Sequence, residues 1–92
     1  MIRLHAIVHG RVQGVGYRYF AHHAAGRLHI PGGMVRNRVD GTVEVEAEAA
    51  DRLTLEGLLR ELHTGPTSAE VETVETNWEE NVAPRYASFR VA

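Results

Sequence analysis

The sequence contains no cysteine and no lysine. The lack of cysteine excludes disulfides, thiolate nucleophiles and Cys-ligated zinc or iron–sulfur sites. Because all ten basic residues are arginine, a lysine Schiff base and the lysine of a Walker-type phosphate loop are excluded as well. No apolar run reaches the roughly 18–20 residues that a bilayer-spanning helix needs, and the N-terminus has no signal-peptide core. We therefore expect a cytoplasmic protein with no membrane partner.

The length and the charge distribution limit the fold and the ligand. A chain of 92 residues suffices for one domain and is too short for two hydrophobic cores. Its composition, 43% hydrophobic and 24% charged, is that of an ordinary globular protein. The net charge of -2 is uneven, since residues 1–46 carry six arginines against three acids and residues 47–92 carry four against nine. An anionic ligand is therefore expected on the first half of the chain.

Alternation of apolar and polar residues predicts the strands. The first strand buries one face, formed by Ile2, Leu4, Ala6 and Val8. Further strands are predicted over residues 34–38, 42–49, 69–78 and 87–91. The Asp-Gly pair at 40–41 indicates a hairpin between the second and third strands. In the fourth strand the apolar phase changes between residues 71 and 74, which indicates a β-bulge.

Helical spacing predicts two helices. The first carries apolar residues at positions 17, 20, 21, 24, 25 and 28, and the second carries Leu55, Leu58, Leu59 and Leu62. Asp51 is a suitable N-cap for the second helix, and a Gly-Pro pair at 65–66 ends it. The resulting order, β-α-β-β-α-β with a short extra C-terminal strand, predicts an α+β fold. It is a split βαβ sandwich with two helices on one face of a mostly antiparallel sheet.

Three glycines, Gly10, Gly14 and Gly16, lie between the first strand and the first helix. Such a loop can turn its amides inward, and the helix adds free N–H groups and the positive end of its dipole, so that a tetrahedral oxyanion is a suitable ligand. Arg18, in the first helical turn, can bind phosphate oxygens through two hydrogen bonds. The same glycines also suit a simple strand-to-helix connection, with Arg18 in solvent. The spacing alone leaves both interpretations open.

Asn37 precedes the predicted hairpin. Asparagine is common beside turns, where its side chain bonds local backbone, so that a turn-forming role is the plain interpretation.

A metal site and an RNA-binding surface are both disfavoured. The six histidines are too far apart or too divergent for a metal site, and Glu44, Glu46 and Glu48 are expected to be surface charges on the face opposite the valines. An RNA surface made of the arginines lacks the aromatic strand signature of RNA-binding sheets, and the chain is net acidic.

Two segments resemble the acylphosphatase family. Residues 10–18, GRVQGVGYR, are similar to the signature loop of that family, and residues 35–44, VRNRVDGTVE, are similar to its second signature. Two ordered motifs at a suitable separation are more specific than either alone. Later residues also fit, among them Gly65-Pro66, Trp78 and Phe89, so that the resemblance covers nearly the whole chain as one acylphosphatase-like domain over 1–92.

The resemblance implies a ferredoxin-like α/β sandwich and hydrolysis of small acyl phosphates to carboxylate and orthophosphate, without a metal or an organic cofactor. It implies that Arg18 binds the phosphoryl group and that Asn37 orients the attacking water. The phosphate oxygens would be held by the loop amides of Val12, Gln13, Gly14, Val15 and Gly16. Inorganic phosphate would be the product and a competitive inhibitor, and the protein would be a monomer without a nucleic-acid partner.

The chain departs from the family pattern near the second strand. The family has an aromatic residue where Met34 stands and a glycine where His29 follows Leu28, and Gly33 is one residue more than the pattern has. We expect a bulge to absorb Gly33, because a change of register would move every later side chain, Asn37 included, to the other face. A domain that binds phosphate without turnover is the alternative function, expected if Asn37 is displaced.

Overall fold

The structure, a computed structural model, describes all 92 residues. It contains five strands and two helices in the predicted order. Their bounds are β1 (Ile2–Arg11), α1 (Tyr17–Arg27), β2 (Gly32–Asn37), β3 (Val43–Ala49), α2 (Arg52–Thr64), β4 (Glu70–Glu79) and β5 (Phe89–Val91). Neither helix is long and apolar enough to cross a membrane.

The strands form one sheet in the order β4-β1-β3-β2-β5. All neighbouring pairs are antiparallel except β2 and β5, which are parallel. The predicted α+β, ferredoxin-like sandwich is therefore confirmed.

The core lies between the sheet and the two helices. Leu4, Ala6 and Val8 of β1 are fully buried, and each stands opposite an apolar residue of β3. The leucines at 55, 58 and 62 of α2 are fully buried against the same layer. This agreement follows from the two side-chain periods, two for a strand and 3.6 for a helix, which place the apolar residues of each element on one face.

The predicted cap and the predicted bulge are both present. Asp51 accepts a hydrogen bond from the backbone N–H of Thr54 at 2.8 Å, which fixes the start of α2. Along β1 and β4, His9 pairs with Thr73 and Gly10 pairs with Val71, so that one residue of β4 is not paired with a residue of β1. This bulge explains the change of apolar phase in β4.

The prediction of a bulge at Gly33 is wrong. Strands β2 and β3 pair without interruption from Gly32 opposite Glu48 to Asn37 opposite Val43. Gly33 belongs to the strand itself, at φ 155°, where an added Cβ would lie 2.1 Å from the carbonyl oxygen of Glu46 and 2.8 Å from the Phe89 ring. The missing side chain therefore allows two neighbouring segments to approach, and the register stays regular.

The expectation for the three glutamates of β3 is wrong for Glu48. Its side chain is 1% exposed, and it accepts hydrogen bonds from Arg3 and from the backbone N–H groups of Arg85 and Tyr86. The segment between β4 and β5 covers this end of the sheet, which strand periodicity could not indicate. Glu44 and Glu46 are partly buried and pair with Arg36 and Arg85.

Candidate active site

The topology brings the glycine loop and Asn37 to the same edge of the sheet. Strands β1 and β2 are both antiparallel to β3, which lies between them, and so they run parallel to each other. Their carboxyl ends consequently lie at one edge. The loop of residues 12–16 follows β1 there, and Asn37 is the last residue of β2.

A cleft of about 150 Å³ opens at this edge. It is lined by Val12, Gly14, Gly16, Tyr17, Arg18, Tyr19 and Asn37. Of the residues predicted for the site, the cleft thus brings together Arg18, Asn37 and three residues of the loop. The side chains of Gln13 and Val15 lie elsewhere, since Gln13 contacts the β2–β3 turn and Val15 packs against the core.

The loop presents backbone amides without partners. Gly14 and Gly16 have φ of 73° and 79°, and a Cβ at either position would meet nothing within 4 Å. None of the N–H groups of residues 13–19 donates a hydrogen bond to another group of the protein. Gly16 is the N-cap residue of helix α1, which has no side-chain cap and no acidic residue in its first turn. Free amides and the uncompensated positive end of a helix dipole form a site suited to a small anion.

Arg18 adds a full positive charge to this anion site. Its half-buried side chain lines the cleft, and its Nη1 donates to the carbonyl oxygen of Ala92 at 2.9 Å. The N–H of Ala92 donates in turn to the carbonyl oxygen of Val35 in β2. The residue after β5 therefore links Arg18 to the strand that carries Asn37. Nothing in the sequence indicated this contact.

Asn37 does not have the turn-forming role that the plain interpretation gives it. Its exposed side chain lines the cleft and makes no hydrogen bond within the protein. The turn is closed by Asp40, whose Oδ1 accepts from the N–H of Thr42 at 3.0 Å and from its hydroxyl at 2.6 Å. These hydrogen bonds hold the pKa of the Asp40 carboxyl below its usual value.

Two aromatic residues at the cleft were not predicted for the site. The Tyr17 ring is buried, its hydroxyl donates to the Leu62 carbonyl oxygen at 2.6 Å, and burial raises the pKa of that hydroxyl. Tyr19 is 69% exposed beside Arg18. A large aromatic residue outside the apolar stripe of a helix was the available signal for Tyr19.

The histidine and acidic side chains do not gather into a ligand set. His5 lies 2.6 Å from Glu44, and His9 contacts Glu75. No three side chains among the histidines, aspartates and glutamates come close enough to hold a metal ion. The chemistry available at the cleft is therefore that of amide donors, one guanidinium and one carboxamide.

Comparisons with known proteins bear on the family and the fold of this chain. The sequence matches the acylphosphatase family over residues 4–91. It is 45% identical over 89 residues to an acylphosphatase of Salinibacter ruber, covering 97% of this chain and 90% of that protein. The crystal structure of acylphosphatase from Bacillus subtilis has a TM-score of 0.92 at 30% identity, covering 100% of this chain and 99% of that one. An acylphosphatase from Coxiella burnetii has a TM-score of 0.83 at 38% identity, covering 98% and 90%.

Proposed function

This chain belongs to the acylphosphatase family, and on that premise we propose that it hydrolyses the carboxyl-phosphate bond of small acyl phosphates to carboxylate and orthophosphate. The observation that carries the proposal is the meeting of three donors in one cleft, namely the unpartnered loop amides, Arg18 and Asn37. The substrate and the inorganic phosphate product share the phosphoryl group that the loop amides and Arg18 would hold.

Each donor has a separate role in the proposed reaction. The amides of residues 12–16 and the Arg18 guanidinium hold the phosphate oxygens and stabilise their charge. The Asn37 carboxamide orients a water molecule for attack on phosphorus. The bond between phosphorus and the acyl oxygen breaks with its electron pair on the departing carboxylate, and a phosphate oxygen accepts the proton of the water. A loose phosphoryl-transfer transition state requires mainly such positioning and charge stabilisation.

The proposal is tested by assaying acetyl phosphate hydrolysis in EDTA. We expect turnover well above spontaneous hydrolysis, and a loss of roughly 100-fold or more in kcat/KM for Arg18→Ala and Asn37→Ala, on the scale of removing a preorganised donor. Arg11→Ala is the matched control, because Arg11 is exposed, pairs with Glu70 and does not line the cleft. Its kcat/KM should stay near that of the wild type.

Inorganic phosphate separates an enzyme from a domain that only binds phosphate. Phosphate should inhibit the enzyme competitively, and it should raise the melting temperature of the wild type but not of Arg18→Ala. An inactive wild type that phosphate still stabilises through Arg18 would contradict the proposed hydrolysis and leave a phosphate-binding domain.

A further inference from the structure

The Gln13 side chain joins the phosphate loop to the turn between β2 and β3. Its Nε2 donates two hydrogen bonds, to the carbonyl oxygen of Arg38 at 2.7 Å and to that of Thr42 at 2.9 Å. A primary amide has only two N–H hydrogens, so both are used on this turn. No other hydrogen bond joins the loop of residues 12–16 to the segment of residues 37–42.

Neither acceptor depends on Gln13 for a hydrogen-bond partner. The Arg38 carbonyl also accepts from the N–H of Gly41 at 3.2 Å, and the Thr42 carbonyl also accepts from the N–H of Arg38 at 2.9 Å. The turn is therefore closed by its own backbone hydrogen bonds and by the Asp40 side chain, without Gln13. What the Gln13 bonds add is a fixed position of the turn relative to the loop.

The two segments joined by Gln13 carry different parts of the site. The loop holds the amides and leads into Arg18, whereas Asn37 directly precedes Arg38, the residue whose carbonyl oxygen Gln13 binds. The exposed Asn37 side chain has no hydrogen bond within the protein to fix its distance from the loop. Asn37 is paired with Val43 at the end of β2, so that distance depends on this pairing and on the backbone of the turn that follows, which Gln13 connects to the loop.

We propose that Gln13 is a positioning residue that sets the distance between the phosphate-binding loop and Asn37 through its two bonds to the turn. The proposal rests on the proposed function, since the distance matters only if Asn37 orients the water. Phosphate is bound by the loop and Arg18 alone. Loss of the bridge should therefore lower kcat and leave phosphate affinity almost unchanged.

The test compares Gln13→Met with the wild type for kcat, KM and inhibition by inorganic phosphate. Met has a similar length and no donor. We expect kcat to fall roughly 10–100-fold, the scale of a misplaced reacting group. The inhibition constant for phosphate should change by less than about twofold, because phosphate binding itself is retained.

Gln13→Glu supplies a test within one folded protein. The ionised carboxylate has no donor and faces two carbonyl oxygens, while the protonated acid can donate one hydrogen bond. Burial beside these oxygens should raise the pKa of the introduced carboxyl. The kcat of Gln13→Glu relative to that of Gln13→Met should therefore rise as the pH falls from 7 to 5. A misfolded variant would show no such recovery.

Asn37→Ala shows whether Gln13 acts through Asn37. In that background Gln13→Met should lower kcat little further, because the water-orienting group is already absent. An unchanged kcat in Gln13→Met would overturn the proposal, and so would a phosphate affinity that falls in parallel with kcat. An inactive wild type would overturn the proposed function and this inference together, whereas an active wild type with an unaffected Gln13→Met would overturn this inference alone.

Discussion

Arg3 and Glu48 stand directly opposite each other on β1 and β3, and Arg3 Nη2 lies 2.6 Å from Glu48 Oε2. Both side chains are almost fully buried, at 5% and 1% exposure. The Glu48 carboxylate also accepts hydrogen bonds from the backbone N–H groups of Arg85 and Tyr86, at 2.9 and 3.2 Å. One buried carboxylate thus joins the first strand to the segment that leads into β5.

Removal of Arg3 from this pair should destabilise the fold. In Arg3→Met the carboxylate of Glu48 would stay buried without its cationic partner, and we expect the free energy of unfolding to fall by about 3 kcal/mol. Urea denaturation measures the change. The control is Arg36→Met, because Arg36 pairs with Glu44 on the same face but is 55% exposed, so that the expected cost is below about 1 kcal/mol. Equal losses in both variants would contradict the interpretation.

Stability should fall in acid because of Glu48. Burial alone would raise the pKa of its carboxyl, but hydrogen bonds from Arg3, Arg85 and Tyr86 outweigh this and hold the pKa below the ordinary value of 4.5. Below pH 4.5 the unfolded chain therefore binds more protons than the folded chain, and stability decreases until the pH passes the folded pKa.

Urea midpoints at pH 7, 5, 4 and 3 check this prediction. Glu48→Gln should be less stable than the wild type at pH 7 and should lose less stability on acidification. A residual slope is expected from Glu44, because burial raises the pKa of its carboxyl but hydrogen bonds from His5 and Arg36 outweigh this and leave the pKa lowered. Parallel curves for the two proteins would show that Glu48 does not cause the acid sensitivity.

We expect the protein to be less stable with His29 than with glycine at the same position. It follows α1 with φ of 56°, and the N–H of Ile30 donates to the carbonyl oxygen of Ala25 in a Schellman-type helix end. The left-handed conformation costs a residue with a Cβ about 1–2 kcal/mol, partly offset by the larger entropy of glycine in the unfolded chain. His29→Gly should therefore stabilise the protein by about 0.5–1 kcal/mol, which calorimetry would record as a rise of roughly 2–8 °C. His29→Ala keeps the backbone strain, and its melting temperature should not rise.

Gly33→Ala should have the opposite effect. The added Cβ would overlap the Glu46 carbonyl oxygen, which belongs to the adjacent strand and cannot move alone. We expect the free energy of unfolding to fall by at least about 2 kcal/mol, and the activity to fall as well because β2 and Asn37 would shift. Gly57→Ala is the matched control. Gly57 lies inside α2, where helix propensity favours alanine by up to about 1 kcal/mol, and the added Cβ would lie 3.4 Å from the Leu28 side chain, an ordinary van der Waals distance. A tolerated Gly33→Ala would show that β2 can yield at this point.

The site was predictable to the extent that it depends on local backbone. Gly14 and Gly16 have the positive φ that glycine permits, so the sequence favoured a tightly turned loop with Arg18 beside it, while the spacing alone left an anion site and a plain connection both open. Asn37 was harder, because its position depends on the pairing of β2. The regular register of that pairing, from Gly32 to Asn37, became clear only when Gly33 was seen against Phe89 and β3.

The seven elements, their order and their buried faces follow from the sequence, because side-chain periods and capping residues act within a few positions of the chain. Contacts between distant segments depend instead on how the elements pack. This packing buried Glu48 among Arg3, Arg85 and Tyr86, placed Ala92 against Arg18, and directed Gln13 to the turn after Asn37. These contacts join residues that lie 25 to 74 positions apart in the chain, and no local period carries information about them.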